Sequence, residues 1–134
     1  MDSFIKERLN LFGDFEDALT TRSDVVFHSL ISPLMNFGLL DPRQVLAAVF
    51  RIHQKQSVPV NSLEGFVRQV IGWREFVRGI YHNFGDEQRS GNFFGHSSGL
   101  TDDWYKGTTG IDPLDHVIQK TQSMGWAHHI ERLM

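Results

Sequence analysis

The stretch Asp41-Pro42-Arg43-Gln44-Val45-Leu46-Ala47-Ala48-Val49-Phe50-Arg51-Ile52 decides the fold class, because it joins a helix start to a helical repeat. Asp41 is a good N-cap, and Pro42 is tolerated at a first helical position, where its missing N–H has no partner to lose. Apolar residues then recur at i, i+3, i+4 and i+7, on one face of a helix: Val45, Ala48, Val49 and Ile52. We predict an amphipathic helix that ends at residues 57–59.

Two other segments carry helix-start signals. Asn61 is followed by Glu64, which is the spacing of a capping box. The apolar stripe after it consists of Phe66, Val67, Val70, Ile71 and Trp73, and it extends toward Tyr81. The pair Asp112-Pro113 begins another helix, with Asp115 in its first turn and Gly125 as its expected end. Its inward-facing residues are expected to be Leu114, Val117 and Ile118.

The remaining segments are less regular. Residues 83–110 are rich in Gly, Ser and Asp, and we predict a long loop there. Residues 128–134 have the pattern of a helix opening. Because no repeat and no strand-like alternation occurs, the predicted fold class is all-α. We interpret residues 1–134 as a single partial domain, truncated at its C-terminal end.

Composition excludes several kinds of site. The 134 residues carry a formal net charge of −3 and contain no cysteine, so this chain alone cannot form a disulfide, a thiol nucleophile or a cysteine-held metal site. No stretch approaches the roughly 20 apolar residues of a membrane span. We expect a cytoplasmic protein with no membrane association, no bound metal and no implied protein partner.

Two serines lie in a predicted turn before a helix. Ser29 and Ser32 stand three residues apart in the segment 27–33. Hydroxyls and unpaired backbone N–H groups at a helix start can hold one anion such as phosphate. Simple capping of the helix by either serine is the alternative.

An amide and an indole share one face of the second helix. Gln69 and Trp73 lie four residues apart, about one turn, in the segment 65–76. This pair suits a flat heteroaromatic ligand, because it offers hydrogen bonds and a stacking surface. The alternative is a tryptophan in the core beside a surface pair of Arg74 and Glu75.

Two further motifs occupy residues 104–115 and 125–134. The second contains the adjacent residues His128 and His129, which would project about 100° apart on a helix and are not expected to bind one metal. One of them is expected to face a pocket while the other packs or contacts solvent.

Taken in order, the four motifs resemble the FAD-binding helical domain of the photolyase/cryptochrome family across nearly the whole chain. The matching family features are the diphosphate loop at residues 28–32, the Trp-Arg-Glu-Phe helix at 72–76, the Gly-x-Thr-Gly turn at 107–115 and the Gly-Trp-x-His motif at 125–134. The paired histidines, together with residues 12–18 and 72–81, are most similar to (6-4) photolyases and bacterial iron–sulfur cryptochromes.

The resemblance implies light-driven DNA repair, in which reduced FAD donates an electron to a pyrimidine lesion flipped out of UV-damaged DNA. The residues that it implies for FAD binding are Phe15, His28, Ser29, Leu30, Ile31, Ser32, Gln69, Trp73, Arg74 and Arg132. His129 is the implied catalytic residue that handles a proton, with His128 beside it. Trp104 and Tyr105 are implied for photoreduction.

The sequence departs from the family pattern at three positions. Pro113 stands where the bacterial branch has its first cluster cysteine, which argues against an iron–sulfur cluster. Val70 replaces the glutamate of ordinary photolyases, and Leu133 replaces a second histidine of the eukaryotic (6-4) enzymes. The family's antenna domain and its contacts to the flavin ring edge would lie outside residues 1–134. We therefore expect this chain alone to bind FAD weakly and to repair nothing.

Two other functions remain open at the level of sequence. A cryptochrome-type photoreceptor would use the same FAD site without repair. A small helical interaction domain would need no cofactor, with Ser29 as a cap and Trp73 in the core. The interaction domain without a cofactor would be favoured if Gln69, Trp73 and His129 lay on unrelated faces.

Overall fold

The computed structural model describes residues 1–134 and contains no β-strand, so the all-α prediction is confirmed. The α-helices are α1 (Asp2–Glu7), α2 (Phe12–Phe15), α3 (Ser32–Asn36), α4 (Pro42–Gln56), α5 (Val60–Val67), α6 (Trp73–Ser90), α7 (Asp102–Lys106) and α8 (Asp112–Met124). Leu9–Leu11 and Glu131–Leu133 form 3₁₀ turns, and Arg68–Gly72 forms a π-helical turn. No helix combines the length and hydrophobicity that crossing a lipid bilayer would need.

The chain forms two compact units. The first consists of residues 1–16 and 27–91, and the second of residues 17–26 and 92–134. The core of the first unit is built around three rings from α1, α2 and α5. Phe4 lies 4.7 Å from Phe66 and 6.0 Å from Phe12, measured between ring centroids. Each ring is almost fully buried, and burial of such a side chain contributes roughly 1.5–3 kcal/mol.

Helix α4 begins and ends as predicted. The Asp41 carboxylate accepts a hydrogen bond from the Arg43 N–H at 2.7 Å, and the Gln44 amide oxygen accepts one from the Asp41 N–H at 3.0 Å. Val45 and Val49 are buried in the core of the first unit. The predicted apolar face of α4 is therefore confirmed.

The predicted capping box at Asn61 is wrong. Helix α5 begins at Val60, with Pro59 as its N-cap residue, and the Asn61 amide instead donates to the Asp14 carboxylate at 2.7 Å. A tertiary contact has therefore replaced the local cap. The predicted apolar stripe is only half buried, because Phe66 lies in the core while Trp73 is 54% exposed.

The predicted long loop over residues 83–110 is also wrong in large part. Helix α6 runs on to Ser90, and α7 occupies part of the remainder, so the irregular segments within this range are residues 91–101 and 107–110. The backbone of α6 departs from helical geometry at Phe84, next to Gly85. The helix continues past this kink because residues 87–89 (Glu, Gln, Arg) are good helix formers, which outweighs one glycine.

The second unit contains the predicted helix α8. The Asp115 carboxylate accepts hydrogen bonds from the Thr109 hydroxyl at 2.7 Å and from the N–H groups of Thr109 and Gly110 at 2.7 and 2.9 Å. These bonds, with the Thr109 hydroxyl first, lower the pKa of Asp115. Gly125 ends the helix with a φ of +65°, as predicted.

The predicted helix over residues 128–134 is not formed. The segment makes a single tight turn, in which the Leu133 N–H donates to the Ile130 carbonyl at 3.1 Å. The Glu131 carboxylate is drawn into the interior by Lys120 at 2.8 Å. That contact positions the segment in place of a regular helical hydrogen-bond ladder.

Candidate functional site

The serine turn, defined as residues 28–32, has a strained backbone. Leu30 has a φ of +60°, a left-handed conformation that is uncommon for a residue with a side chain and costs on the order of 1–3 kcal/mol. Neither serine hydroxyl caps α3, whose N-cap residue is Ile31. The capping alternative is therefore wrong for both Ser29 and Ser32.

The side chains of the serine turn separate into two groups. Ile31 is 4% exposed and belongs to the core, and the His28 ring packs edge-on against Phe12 with centroids 6.3 Å apart. Ser29 is half-buried, and Leu30 and Ser32 are exposed. Of the residues predicted to contact a cofactor here, these last three have side chains at the surface.

Phe15 packs against the residue that precedes the serine turn. Its ring stacks on that of Phe27 with centroids 5.0 Å apart and an interplanar angle of 23°. Phe27 directly precedes the serine turn in the chain. The Phe15 ring is still 45% exposed, so this pair presents an aromatic surface beside the two serines.

The predicted amide and indole lie on one continuous helical segment. Gln69 is half-buried within the π-helical turn. Trp73 is the first residue after that turn, and its backbone N–H donates to the Arg68 carbonyl. The indole packs edge-on against Phe76 with centroids 5.8 Å apart. The alternative of a core tryptophan is wrong, because the ring is more than half exposed. Single π-helical turns within α-helices are frequently found at functional sites.

Arg74 connects this helix to α3. Its guanidinium donates to the Val70 carbonyl at 2.7 Å and lies 3.8 Å from the sulfur of Met35, which belongs to α3. The alternative of a surface pair between Arg74 and Glu75 is wrong, since Glu75 contacts Arg78 at 3.5 Å. The helix bearing the indole and the helix that begins at Ser32 are therefore in contact within the first unit.

The two adjacent histidines lie in the second unit and differ in exposure. His128 is fully buried, while His129 is half-buried. The Glu131 carboxylate accepts a hydrogen bond from the His128 N–H at 3.2 Å, and one of its oxygens lies 3.6 Å from the His128 Nε2. This agrees with the expectation that the two imidazoles have different surroundings.

A buried ion cluster stands beside His128. Lys120 Nζ donates to both oxygens of Glu131, at 2.8 and 3.0 Å, and contacts the Asp24 carboxylate at 2.8 Å. Burial opposes the charge on Lys120, but hydrogen bonds to Asp24 and Glu131 outweigh it and raise the pKa of the lysine. Burial is also the main reason that the pKa of His128 lies below its usual value, although Glu131 pulls it upward.

Sequence reasoning missed this cluster. One signal was present, since Glu131 stands three residues after His128, the spacing of a capping-box acceptor. Another was Lys120, which falls one turn after Val117 on the partly buried face of α8. Asp24 is distant in sequence and gave no signal.

The remaining predicted site residues are at the surface of the second unit. Arg132 is exposed, and the indole of Trp104 and the phenol of Tyr105 are 43% and 65% exposed on α7. The Gln122 amide donates to the Tyr105 carbonyl, which fixes the end of α7 against α8. Both rings are accessible to solvent, and their predicted role in photoreduction stays a prediction.

The second unit also holds a cavity of about 610 Å³. It is lined by Leu19, Thr20, Thr21, Asp112, Pro113, His116, Val117, Glu131 and Met134. Its size falls within the range of small-molecule sites. None of the cofactor-binding, catalytic or electron-transfer residues predicted from sequence lines it. Its walls come from three separate segments, residues 19–21, 112–117 and 131–134.

Comparison with known proteins gives two relatives. The chain is 39% identical over 134 residues to the (6-4) photolyase of Agrobacterium fabrum, and it spans 26% of that protein's length. It is 36% identical over 112 residues to the uncharacterized protein R853 of Acanthamoeba polyphaga mimivirus. The aligned region covers 83% of this chain and 85% of the viral protein. No protein-family model matches the chain.

Proposed function

This chain belongs to one family with the mimivirus protein R853 and is related to part of a photolyase, and from that relationship we propose that it supplies flavin-facing residues for light-driven repair of DNA of the (6-4) type. The A. fabrum protein is roughly four times as long, so repair is proposed for an assembly that contains more than this chain. The partner of such an assembly would be UV-damaged DNA.

The contact between Arg74 and Met35 is the observation that carries the proposal. It joins the helix bearing Gln69 and Trp73 to the helix that begins at Ser32. To bind a flavin dinucleotide, a protein needs hydrogen-bond donors for the diphosphate and a flat surface for the flavin ring, no farther apart than the length of the cofactor. The first unit offers both on adjoining elements, which supports a shared site.

The side chains of the first unit fit FAD in chemistry. Ser29 and Ser32 would donate hydroxyl hydrogen bonds to the diphosphate, and neither is used as a helix cap. Trp73 would give the ring an apolar surface, Gln69 would offer an amide to its edge, and Arg74 would add positive charge. When bound, the flavin supplies the light-driven electron.

His129 is the proposed proton carrier. Its imidazole is half-buried, so a substrate can reach it, whereas His128 is fully enclosed. Histidine is the side chain most often used to donate and accept protons in catalysis. Arg132, three residues later and exposed, would place a positive charge near the same substrate.

A chimera tests the proposal. The homologous segment of the A. fabrum (6-4) photolyase is replaced by residues 1–134, and reversal of a (6-4) lesion under blue light is measured. We expect repair by the chimera and its loss with His129→Ala, while His82→Ala, an exposed histidine on α6, leaves the rate unchanged. A folded, flavin-loaded chimera that repairs equally well with His129→Ala contradicts the assignment.

One observation favours photoreception without repair. Val70 is 4% exposed and apolar where ordinary photolyases carry a glutamate, so that carboxylate is missing from the site. A cryptochrome-type function predicts a chimera whose flavin is reduced by light and whose lesion reversal is absent. Measuring flavin photoreduction and repair on the same sample separates the two functions.

A further inference from the structure

Three charged groups meet beside His128 in the second unit. The side chains of Lys120 and Glu131 are 8% and 4% exposed, and Asp24, at 48%, reaches solvent. Isolated buried charges are costly, so a buried lysine and glutamate persist only when paired. The cluster lies on the segment that carries both histidines, which is where a proton-handling site needs rigidity.

We infer that Lys120 and Glu131 are positioning residues for the histidine pair: they fix the main chain at His128 and hold a carboxylate oxygen 3.6 Å from its ring, on the segment that also carries His129. The assignment of a substrate rests on the proposed function. The positioning itself rests on distances within the second unit.

The Glu131 carboxylate is the junction of the cluster. Both of its oxygens accept from Lys120, and the one closer to the His128 ring also accepts the His128 N–H at 3.2 Å. A carboxylate that holds a backbone N–H and a lysine at once cannot rotate without breaking hydrogen bonds. Glu131 therefore sets the path of the chain at His128.

Asp24 extends the hold to a distant segment. Its carboxylate contacts Lys120 at 2.8 Å, and its backbone carbonyl accepts a hydrogen bond from the Trp126 indole at 2.9 Å. Trp126 lies two residues before His128. The segment around Asp24 thus holds the histidine-bearing segment from a second side.

Burial is the main influence that disfavours a positive charge on the His128 imidazole and lowers its pKa. Glu131 would favour a protonated ring, but its charge is already shared with Lys120, and Lys120, His129 and Arg132 act in the same direction as burial. His128 is therefore a neutral, fixed neighbour of the proton carrier.

The test is a pH titration of the individual histidines by NMR on the 134-residue chain, with no flavin or DNA present. We expect the His128 midpoint to lie below the usual value of 6.5. Glu131→Gln keeps the shape and removes the attraction, so the His128 midpoint falls further. Lys120→Met removes a repulsive charge and releases Glu131, so the midpoint rises. Lys120→Arg is the matched control and shifts it little.

Shifts of opposite sign show that both charges act on the His128 ring. A His128 midpoint at or above the usual value of 6.5, or equal shifts in Glu131→Gln and Lys120→Met, overturns the inference. If Lys120→Met does not fold, the wild-type midpoint of His128 and the conservative Glu131→Gln variant still decide. Because the measurement involves no cofactor, its failure leaves the flavin proposal standing, and failure of repair in the chimera leaves this result standing.

Discussion

The hydroxyl of Ser62 joins α5 to α2 through Gly13. It accepts a hydrogen bond from the Gly13 N–H at 2.9 Å and donates one to the Asn10 carbonyl at 3.1 Å. Ser62 is fully buried, and a Cβ added to Gly13 would lie 2.5 Å from the backbone of Asn61 and Ser62. The backbones of the two helices are therefore in close contact, and this contact holds α2, which ends at Phe15, against α5.

Removing either side of this contact should destabilise the first unit. Ser62→Ala leaves the part-buried Gly13 N–H and Asn10 carbonyl without their partner and should lower the free energy of unfolding by about 1 kcal/mol. Gly13→Ala forces the backbone of α5 to move, and overpacking of this kind costs about 1–3 kcal/mol or more. Urea denaturation measures both losses.

Gly79→Ala is the matched control for the glycine. No atom lies within 4 Å of the added Cβ, and Gly79 stands inside α6. Alanine should leave stability unchanged or raise it by about 0.5–1 kcal/mol, the usual advantage over glycine in a helix. Equal urea midpoints for Gly13→Ala and wild type would show that α2 and α5 are not packed this closely.

The buried His128 predicts a loss of stability in mild acid. Burial lowers its pKa in the folded chain below the usual value of 6.5, so the unfolded chain binds a proton first as the pH falls. Stability rises with pH wherever the unfolded state holds more protons. The free energy of unfolding should therefore decrease as the pH drops from about 6.5 through the folded-state pKa.

Urea midpoints between pH 7.5 and 5 check this dependence. His128→Phe, which cannot be protonated, should flatten the profile, while His82→Gln on the exposed face of α6 should leave its slope unchanged. A profile that stays equally steep in His128→Phe would assign the acid sensitivity to another group.

Truncation of Phe66 should lower stability far more than truncation of Trp73. Phe66 is 2% exposed, and Phe66→Ala should cost about 3–5 kcal/mol of stability. Trp73 is 54% exposed, so Trp73→Ala should change stability by about 0.5 kcal/mol or less and act instead on flavin content in the chimera. A large loss of stability in Trp73→Ala would mean that its ring is structural.

The sequence predicted what local chemistry controls. The capped start of α4 and the glycine end of α8 were found because cap residues act within one turn. Asn61 was misassigned because its partner, Asp14, lies 47 residues away. Within the cluster of Lys120, Glu131 and Asp24, only Asp24 was hidden by distance in the sequence, and the local spacing of the other two residues was overlooked.

The sequence could indicate which residues belong to the candidate site, but not how their side chains are arranged. Ser29 and Trp73 were selected by their motifs, and the structure adds that the serine caps nothing and the indole is exposed. The π-helical turn that precedes Trp73 has no sequence signature, since it depends on the register of the hydrogen bonds. The contact of Arg74 with Met35 likewise arises only after folding.

The FAD content of the purified chimera tests the central claim most directly. We predict about one flavin per molecule when residues 1–134 are wild type, and a large loss in the double variant Ser29→Ala, Ser32→Ala. Ser97→Ala, an exposed serine in the segment 91–101, should have no effect. Full flavin content in the folded double variant would contradict a diphosphate site at the serine turn.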